Sequence, residues 1–443
     1  IKLPTGRDGL EGVPKIIGNL AFTTPMIPGW AGPRGEWAEP NPPVINGKDV
    51  YSKGPLPRDW AKWRGHYTHG DQVILSYTVG ASGILELPGF DGGIFTRQFE
   101  ITHSPSKSPL NLLLAEAPGA AGKVDGNIAT LESDGQVTGA TVLNAGVTLK
   151  AENGRITAEI KSLLPTSQFI VGMWNGPAEQ LGELKDFSKI KIKTRALTDM
   201  TKGGPAQWNK PVTTRGRLSL VPGAYVVDTI TVPEDNPWKS WIRCSGFDFF
   251  EDGTTAAMCS VTGDVWIVSG IDEELKELKW RRYATGLFQP LGLKIVEGQV
   301  YVLGRDQITR LHDLNKDGEA DFYENFNNDI SITNHYHEFC LNLSTDPEGN
   351  FYFIKGGNLR KATVPHHGCL VRVSKDGSKL EIVATGHRAP NGMSVGPNGE
   401  LTSSDNEGNW VPTSRVNYVK PGGFYGHVHT AHRKEPPNDY DKP

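Results

Sequence analysis

An acidic stretch in the second half of the chain has the spacing of a metal-binding loop. Its oxygen-bearing side chains and the central Gly318 match the twelve-residue pattern of a calcium loop. A hard dication takes six to eight oxygen ligands, so the stretch predicts a structural calcium site. The alternative is an acidic turn held by the hydrogen bonds of its own Asp and Asn side chains. The candidate ligands are Asp313, Asn315, Asp317, Glu319, Asp321 and Glu324.

Two further groups could take part in chemistry. His335 and His337 alternate on a short stretch, so on an extended chain they face the same side and could bind a metal, or one could act as a general base. A pair of hydrogen-bonded loop histidines is the alternative. Arg388 follows Gly386 and His387 in a turn and precedes an acidic loop that begins at Asp405. By itself such an arginine indicates only a surface ion pair.

A repeat predicts the elements that carry these groups. A phrase of glycine followed by apolar or aromatic residues recurs, and its glycines are spaced by 35, 51 and 50 residues. An apolar strand precedes the last three phrases and an arginine-bearing strand follows them. One four-stranded antiparallel sheet per 40 to 50 residues is typical of a β-propeller blade, so we expect blades from about residue 240 onward. The repeat glycines are Gly263, Gly298, Gly349 and Gly399, and the strand arginines are Arg310, Arg372 and Arg415.

The rest of the sequence predicts an all-β chain in three parts. The 52 glycines and 31 prolines among 443 residues suit turn-rich β-structure. We expect an irregular N-terminal arm at 1–63, pinned by its tryptophans, a β-sandwich-like domain at 64–235, and part of a β-propeller at 236–443. About four blades are visible, and a propeller needs roughly four to eight to close. A C-terminal portion or a second chain is therefore expected to complete it.

Charge and composition exclude several classes of function. A net charge of −4 gives no electrostatic footprint for nucleic acid or an anionic membrane. The sequence has no run of 18 apolar residues, so it predicts no membrane span. The four cysteines form no CxxC pair, which leaves two disulfides or buried thiols as alternatives. The chain begins at Ile1, which fits a mature periplasmic or secreted product whose leader has been removed, although a chain started artificially would look the same.

The order of four phrases resembles the PQQ-dependent glucose/sorbosone dehydrogenase-like β-propeller family. This family also occurs in large exported planctomycete and verrucomicrobial proteins described as membrane-bound dehydrogenases. Its GHRNPQG-type phrase, PNG turn, acidic glycine-containing loop and KGGNYG-type turn match GHRAPNG at 386–392, PNG at 397–399, the loop at 405–409 and KPGGFYG at 420–426. The resemblance covers about residues 240–443. Ala389 stands where the family has asparagine.

The resemblance implies a site and a reaction. Arg388 would contact the quinone, and His337, with His335 as second choice, would be the general base. The base would take a proton from a sugar or polyol hydroxyl while hydride passes to PQQ. Calcium and Arg388 would stabilise the negative charge on the quinone oxygen, and a cytochrome-like acceptor in trans would take the electrons. The residues implied at the cofactor are Arg388, His337, Asp405, Asn406, Gly408 and Trp410, of which Trp410 could also stack on a sugar.

Two rival functions remain open at this point. One is a carbohydrate-active propeller without a redox cofactor, such as a lyase that uses a histidine and a metal. The other is a carbohydrate-binding scaffold, because propellers host many functions and a fold does not determine one.

Overall fold

A computed structural model gives the fold as two compact, almost entirely β units, residues 1–204 and 205–443. Among the described residues no helix is long and apolar enough to cross a bilayer. The structure describes residues 21–22, 27–37, 44–45, 48–49, 56–103, 109–144, 146–161, 164–192, 194–332, 338–357, 365–407 and 414–427.

The first unit contains two facing antiparallel sheets, a two-stranded sheet and a short helix. The strands are β1 (Val44–Ile45), β2 (Lys48–Asp49), β3 (Ala61–His69), β4 (Gln72–Val79), β5 (Ser82–Asp91), β6 (Ile94–Thr102), β7 (Leu110–Glu116), β8 (Ala121–Asp125), β9 (Ile128–Ser133), β10 (Gln136–Leu143), β11 (Val147–Glu152), β12 (Arg155–Ile160) and β13 (Thr166–Pro177), and the helix is α1 (Gly182–Phe187). One facing sheet has the strand order β3-β4-β5-β6-β13-β10-β9-β8, the other has the order β11-β12-β7, and β1 pairs with β2.

Alternating residues of the two sheets form one core. In β12, for example, Ile156, Ala158 and Ile160 are buried, and the residues between them are partly exposed. Side chains of this period-2 pattern meet Phe99 and Phe169 of the larger sheet, whose rings stack at 5.0 Å. The expected sandwich-like domain is confirmed.

The described part of the N-terminal arm is pinned by tryptophan, as expected. Trp30 is buried in the sandwich core, and its indole N–H donates to the Tyr77 hydroxyl at 3.2 Å. The indole of Trp60 donates to the carbonyl of Ala31 at 3.0 Å. These bonds satisfy the polar ends of one buried and one half-buried ring, which is how a tryptophan anchors an irregular segment.

The second unit is a propeller-like array of sheets. Its described strands are β14 (Val212–Thr214), β15 (Cys244–Phe249), β16 (Thr255–Ser260), β17 (Val265–Ser269), β18 (Leu278–Ala284), β19 (Gly292–Val296), β20 (Gln299–Leu303), β21 (Ile308–His312), β22 (Phe322–Asn327), β23 (Cys340–Thr345), β24 (Phe351–Lys355), β25 (Leu370–Val373), β26 (Leu380–Ala384), β27 (Pro390–Val395), β28 (Leu401–Asp405) and β29 (Arg415–Val419). They form sheets with the orders β14-β18-β17-β16-β15, β19-β20-β21-β22, β23-β24-β25-β26 and β27-β28-β29, here called blades 1 to 4.

The first strands of successive blades lie against one another. A Cβ placed on Gly246 of β15 would lie 2.8 Å from the Leu293 nitrogen, and one placed on Gly292 of β19 would lie 2.8 Å from the Leu343 nitrogen. Real Cβ atoms do not approach other atoms so closely, so these positions require glycine. The blades therefore follow one another around a common side, as the blade repeat predicts.

The expected domain boundary differs from the observed one. Residues 205–235, expected in the sandwich, belong to the second unit. The reason is strand pairing, because β14 joins blade 1 through β18, where Val212 opposes Trp280. A three-residue strand directly after Pro211 gives too short a pattern to be assigned from sequence.

The first phrase of the sequence repeat, at Gly263, was aligned with the wrong turn of its blade. Gly298, Gly349 and Gly399 each lie in the turn between the first and second strands of a blade, with φ of 73°, 88° and 84°. Gly263 instead lies between the second and third strands of blade 1, and Gly253 (φ 67°) occupies the equivalent turn. The corrected spacing is 45, 51 and 50 residues. A positive φ favours glycine at both kinds of turn, so the alignment slipped by one strand.

Antiparallel order gives each blade two distinct ends. The connections from one blade to the next lie at one end, and so do the loops between the second and third strands of each blade. We call this end the cleft end. Turns between first and second and between third and fourth strands lie at the opposite end, here called the turn end. The loop 385–389 belongs to the cleft end, and the acidic loop 313–321 belongs to the turn end.

All four cysteines are free thiols, Cys244 exposed and the other three buried. Burial raises the pKa of Cys259 and Cys369 to about 12 and that of Cys340 to about 11, so these thiols stay protonated and pack as small apolar side chains.

Candidate functional site

The acidic loop at the turn end is organised by its own backbone. The carboxylate of Asp313 accepts the N–H groups of Asp317 at 3.1 Å and Gly318 at 2.8 Å. Asp321 accepts the N–H of Leu314 at 2.8 Å. Gly318 has φ of 89°, which fits the sharp turn of such a loop. These bonds are the Asx-type contacts that the turn interpretation expects.

Two of the six candidate ligands face other partners. Glu324 lies 2.6 Å from both Arg310 Nε and His312 Nε2, and the carboxylate of Glu319 accepts the N–H of Gln207 at 2.7 Å. Glu324 opposes Arg310 across β21 and β22 just as Glu381 opposes Arg372 across β25 and β26. Glu324 is therefore the acidic partner of the blade arginine, a role that the repeat itself explains.

The remaining candidates are the ones that could hold a cation. Asp313, Asn315, Asp317 and Asp321 all lie within the loop and carry oxygen ligands of the kind that calcium prefers. Within the described ranges, no three His, Cys, Asp or Glu side chains are gathered as ligands of one metal ion. Calcium binding by this loop stays a prediction, and its ligand set is reduced to four side chains.

At the cleft end, a buried carboxylate shapes the turn that carries Arg388. Asp405 is 2% exposed, and its carboxylate accepts the N–H groups of Arg388 at 3.0 Å, Ala389 at 2.9 Å and Asn406 at 3.0 Å. Asp405 is thus the residue that fixes the backbone of the arginine turn.

The guanidinium of Arg388 lies at the wall of a cleft. Its Nη1 donates to the carbonyl of Asn406 at 3.1 Å and lies 3.5 Å from Glu407 Oε2. The cleft has a volume of about 560 Å³. It lies between blades 3 and 4, and its lining combines apolar, amide, hydroxyl and charged groups: Phe339, Leu341, Gly356, Arg388, Ala389, Pro390, Asn391, Ser404, Asp405, Asn406, Glu407 and Ser414.

Sequence reasoning missed the role of His387. Its ring is fully buried, stacks on Tyr425 at 5.1 Å and lies 3.1 Å from the Ser403 hydroxyl. Burial, which outweighs the opposing charge of Asp405, lowers the pKa of His387 to about 4. The ring is therefore neutral at pH 7, where it packs behind the turn that carries Arg388. The pairing of a Gly-His-Arg phrase with a later Gly-Phe-Tyr phrase is the only sequence signal of this contact.

Several predicted site residues lie outside the described residues. They are His335, His337, Gly408 and Trp410. The distance between His337 and Arg388 is therefore not measured, and their convergence stays a prediction. Phe339, two residues after His337, lines the same cleft as Arg388. Of the residues implied at the cofactor, the structure brings Arg388, Asp405 and Asn406 together.

A network of buried ionisable side chains lies next to the residues that line this cleft. Glu338, Lys355 and His367 are each no more than 1% exposed. Glu338 lies 2.7 Å from the ammonium of Lys355 and 3.2 Å from Nε2 of His367. Burial by itself raises the pKa of Glu338, but the hydrogen bond with His367 and the charge of Lys355 outweigh it and bring that pKa to about 2.

Comparisons with known proteins give partial similarities. The profile of one family, described as "Domain of unknown function (DUF6797)", matches residues 1–86. No curated protein matches the chain. An oxidoreductase (glucose dehydrogenase) from Thermus thermophilus is similar at 19% identity, over 46% of this chain and 69% of that one, with a TM-score of 0.35.

Two further solved structures show weaker similarity. A glucose dehydrogenase is 15% identical over 42% of this chain and 62% of that one, with a TM-score of 0.34. The β-propeller domain of Cps50 from Myceliophthora thermophila is 9% identical over 81% of this chain and 98% of that one, with a TM-score of 0.27. At these sequence identities and TM-scores, the similarities indicate nothing about which residues form the site.

Proposed function

We propose that the second unit is a sugar- or polyol-directed oxidoreductase of the propeller type, with its ligand site in the cleft at Arg388. One observation carries the proposal: loops of two neighbouring blades bring Phe339, Gly356, Arg388 and Asn406 to one cleft at the same end of the blades. Loops at one end of a rigid β-scaffold are where such folds usually place their binding groups.

The lining suits a neutral polyhydroxylated ligand. The volume of about 560 Å³ lies within the roughly 300–1,000 Å³ typical of small-molecule sites. Asn391, Ser404 and Asn406 offer hydrogen-bond donors and acceptors, and Phe339 offers an apolar surface. The charge of Arg388 is offset by Glu407 at 3.5 Å. A sugar needs many directed hydrogen bonds and little net charge, and this lining offers both.

PQQ fits the described lining only in part. It is a tricarboxylate, and Arg388 is the single Lys or Arg among the described lining residues, where Asp405 and Glu407 are also present. Ala389 supplies no side-chain donor beside the arginine. The described residues therefore make up only part of a PQQ site, and no reaction step is assigned through the cofactor. PQQ serves as a probe in the experiment below.

The remaining elements of the proposal follow from the family resemblance. His337, with His335 as second choice, is proposed as the general base. An electron acceptor in trans, a segment or chain that completes the propeller, and a periplasmic or secreted location are proposed with it. The general base and the electron acceptor have a role only if the cleft binds a sugar or polyol. Ligand binding by the cleft is therefore tested first.

The test is reconstitution of the full chain with PQQ and calcium, followed by a dye-linked assay on a panel of aldoses and polyols. We expect sugar-dependent dye reduction that Arg388→Ala lowers by about 100-fold, since loss of a positioning contact can cost that much. Arg372→Ala is the matched control, because Arg372 lies in blade 3 and pairs with Glu381 at 2.5 Å, away from the cleft lining. It should leave the rate unchanged.

Three other outcomes would overturn the proposed reaction or the proposed place of the site. Sugar binding by calorimetry without dye reduction would favour the carbohydrate-binding scaffold. Cleavage of a polysaccharide to unsaturated products without any acceptor would favour the lyase. Equal activity of wild type and Arg388→Ala would remove the ligand site from this cleft.

A further inference from the structure

The buried network of Glu338, Lys355 and His367 has no role in the proposed function, yet it joins three separate segments of blade 3. Glu338 precedes the first strand, Lys355 ends the second, and His367 precedes the third. The ammonium of Lys355 also donates to the carbonyl of Ser331, on the connection from blade 2. The network therefore ties the cleft-end segments of blade 3 together.

Each of the three network residues is followed in the chain by a residue that lines the cleft or bonds to the turn that carries Arg388. Phe339 and Gly356, which come after Glu338 and Lys355, both line the cleft. The two are joined to each other, because the N–H of Gly356 donates to the carbonyl of Phe339 at 2.8 Å. A shift between Glu338 and Lys355 would thus move two walls of the cleft.

The same segments hold the Arg388 turn. The N–H of Gly357 donates to the carbonyl of Arg388 at 3.0 Å. The N–H of His387 donates to the carbonyl of Gly368 at 3.1 Å, directly after His367. The backbone on which Arg388 stands is therefore bonded on both sides to residues adjacent to the buried charges.

Directional contacts fix distances that apolar packing leaves adjustable. Two charges at 2.7 Å with shared hydrogen bonds hold a single arrangement, whereas apolar side chains of similar volume can repack. Replacement of a buried ion pair by apolar residues often keeps or raises stability, so stability alone does not account for such a pair. Its distinct contribution is the relative position of the groups it joins.

We infer that Glu338, Lys355 and His367 are positioning residues that set the geometry of the cleft and of the Arg388 turn, separately from their effect on global stability. The part that concerns ligand affinity rests on the proposed function. The part that concerns cleft geometry does not.

The experiment compares Lys355→Met with the double variant Glu338→Leu/Lys355→Met, using the full chain. Lys355→Met leaves Glu338 buried without its cation, so the unfolding midpoint should fall markedly. The double variant removes both charges and should recover most of that loss. Hydrogen exchange is then measured at Gly357 and His387, with Val302 of blade 2 as the internal control.

We expect the double variant to recover the unfolding midpoint. The amide hydrogens of Gly357 and His387 should still exchange at least about tenfold faster than in the wild type, whereas the amide of Val302 should exchange at the wild-type rate. Wild-type exchange at Gly357 and His387 in the double variant would overturn the inference. A uniform rise at all three amides would do the same, since it would indicate only general loosening. A double variant that does not fold would be replaced by Glu338→Gln and His367→Gln, judged by the same ratio of cleft to blade 2 exchange.

Measuring ligand affinity distinguishes a failure of this inference from a failure of the proposed function. If the wild type binds D-glucose or PQQ, the double variant should lose affinity by about tenfold or more, because misplaced groups bind poorly. If the wild type binds neither probe, the proposed function fails, and the exchange result still decides whether the network positions the cleft. Unchanged affinity in a variant with altered exchange would overturn the ligand part alone.

Discussion

The two ends of the blades in the second unit are built on different principles. At the turn end, the backbone of 313–318 is folded by side chains a few positions away, as in the bond from Gly318 to Asp313. Distant groups such as Arg281 and Gln207 add bonds to the same loop. At the cleft end, Asp405 holds Arg388, which is 17 residues away, and Gly357 bonds Arg388 from the preceding blade. One end is therefore folded mainly by local bonds and the other mainly by contacts between distant segments.

This difference determines how each end depends on the rest of the fold. Local Asx-type turns require only the correct residues in order, so their structure survives modest changes elsewhere. The cleft end requires that several blades are packed in register before its groups meet. A functional site at the cleft end can therefore be disturbed from positions that never contact a ligand.

The largest expected effect comes from removing a carboxylate at each end. Asp405→Ala should lower the free energy of unfolding by about 3 kcal/mol, because it leaves three backbone N–H groups of the arginine turn without their buried acceptor. Asp317→Ala, at a half-buried position of the acidic loop, should cost no more than about 1 kcal/mol. Urea unfolding of both variants measures the difference. Similar values for the two would contradict the distinction between the ends.

Calcium should act at the turn end only. If the loop binds the ion, calcium at about 100 times its Kd stabilises the chain by about 2.7 kcal/mol. Asp313→Asn and Asp317→Asn should abolish the rise in unfolding temperature. Glu324→Gln should retain it, because Glu324 is paired with Arg310 and His312. Loss of the response in Glu324→Gln would restore Glu324 to the ligand set, and no response in the wild type would leave the loop as a turn.

The buried His387 should give the cleft end a pH dependence. Its pKa falls from 6.5 to about 4 on folding, so between these values the unfolded chain binds one more proton than the folded chain. Stability contributed by the neutral ring is therefore complete above pH 6.5 and decreases as pH falls toward 4, by up to about 1.4 kcal/mol per pH unit. His387→Gln should flatten the stability profile in this window, and Ser403→Ala should not. An unchanged profile in His387→Gln would show that the ring does not lose its proton on folding.

The smallest effect is expected from the blade arginines. Arg372 and Glu381 are paired at 2.5 Å but are 41% and 34% exposed. Solvent screens such pairs, so Arg372→Ala should cost about 0.5 kcal/mol, measured by a double-mutant cycle with Glu381→Ala. A coupling above about 2 kcal/mol would mean that these repeat arginines stabilise the blades far more than exposed pairs usually do.

The repeat in the sequence predicted the blades because its signals are local. A glycine at positive φ in each turn and an apolar strand before it are required at every blade, so they recur visibly at Gly298, Gly349 and Gly399. The slip at Gly263 shows the limit of this signal, since a glycine turn also occurs between other strands. The all-β class and the sandwich-like first unit were predicted for the same local reasons.

The candidate site was predicted less fully. The phrase at 386–392 and the loop beginning at Asp405 were identified from their order, and the structure brings Arg388, Asp405 and Asn406 together. Glu324 was included as a ligand because a spacing pattern cannot show which way a side chain points. In the structure, the cross-strand register pairs it with Arg310.

The sequence by itself determined the strands, the turns and the Asx-type fold of the acidic loop, because each depends mainly on residues within a few positions of one another. Only the tertiary structure decided that the acidic loop and Arg388 lie at opposite ends of the blades, that His387 is buried, and that Glu338, Lys355 and His367 form one network. These facts depend on strand direction and on packing between segments far apart in the chain. Burial and charge pairing are properties of the folded surroundings, so no local pattern encodes them.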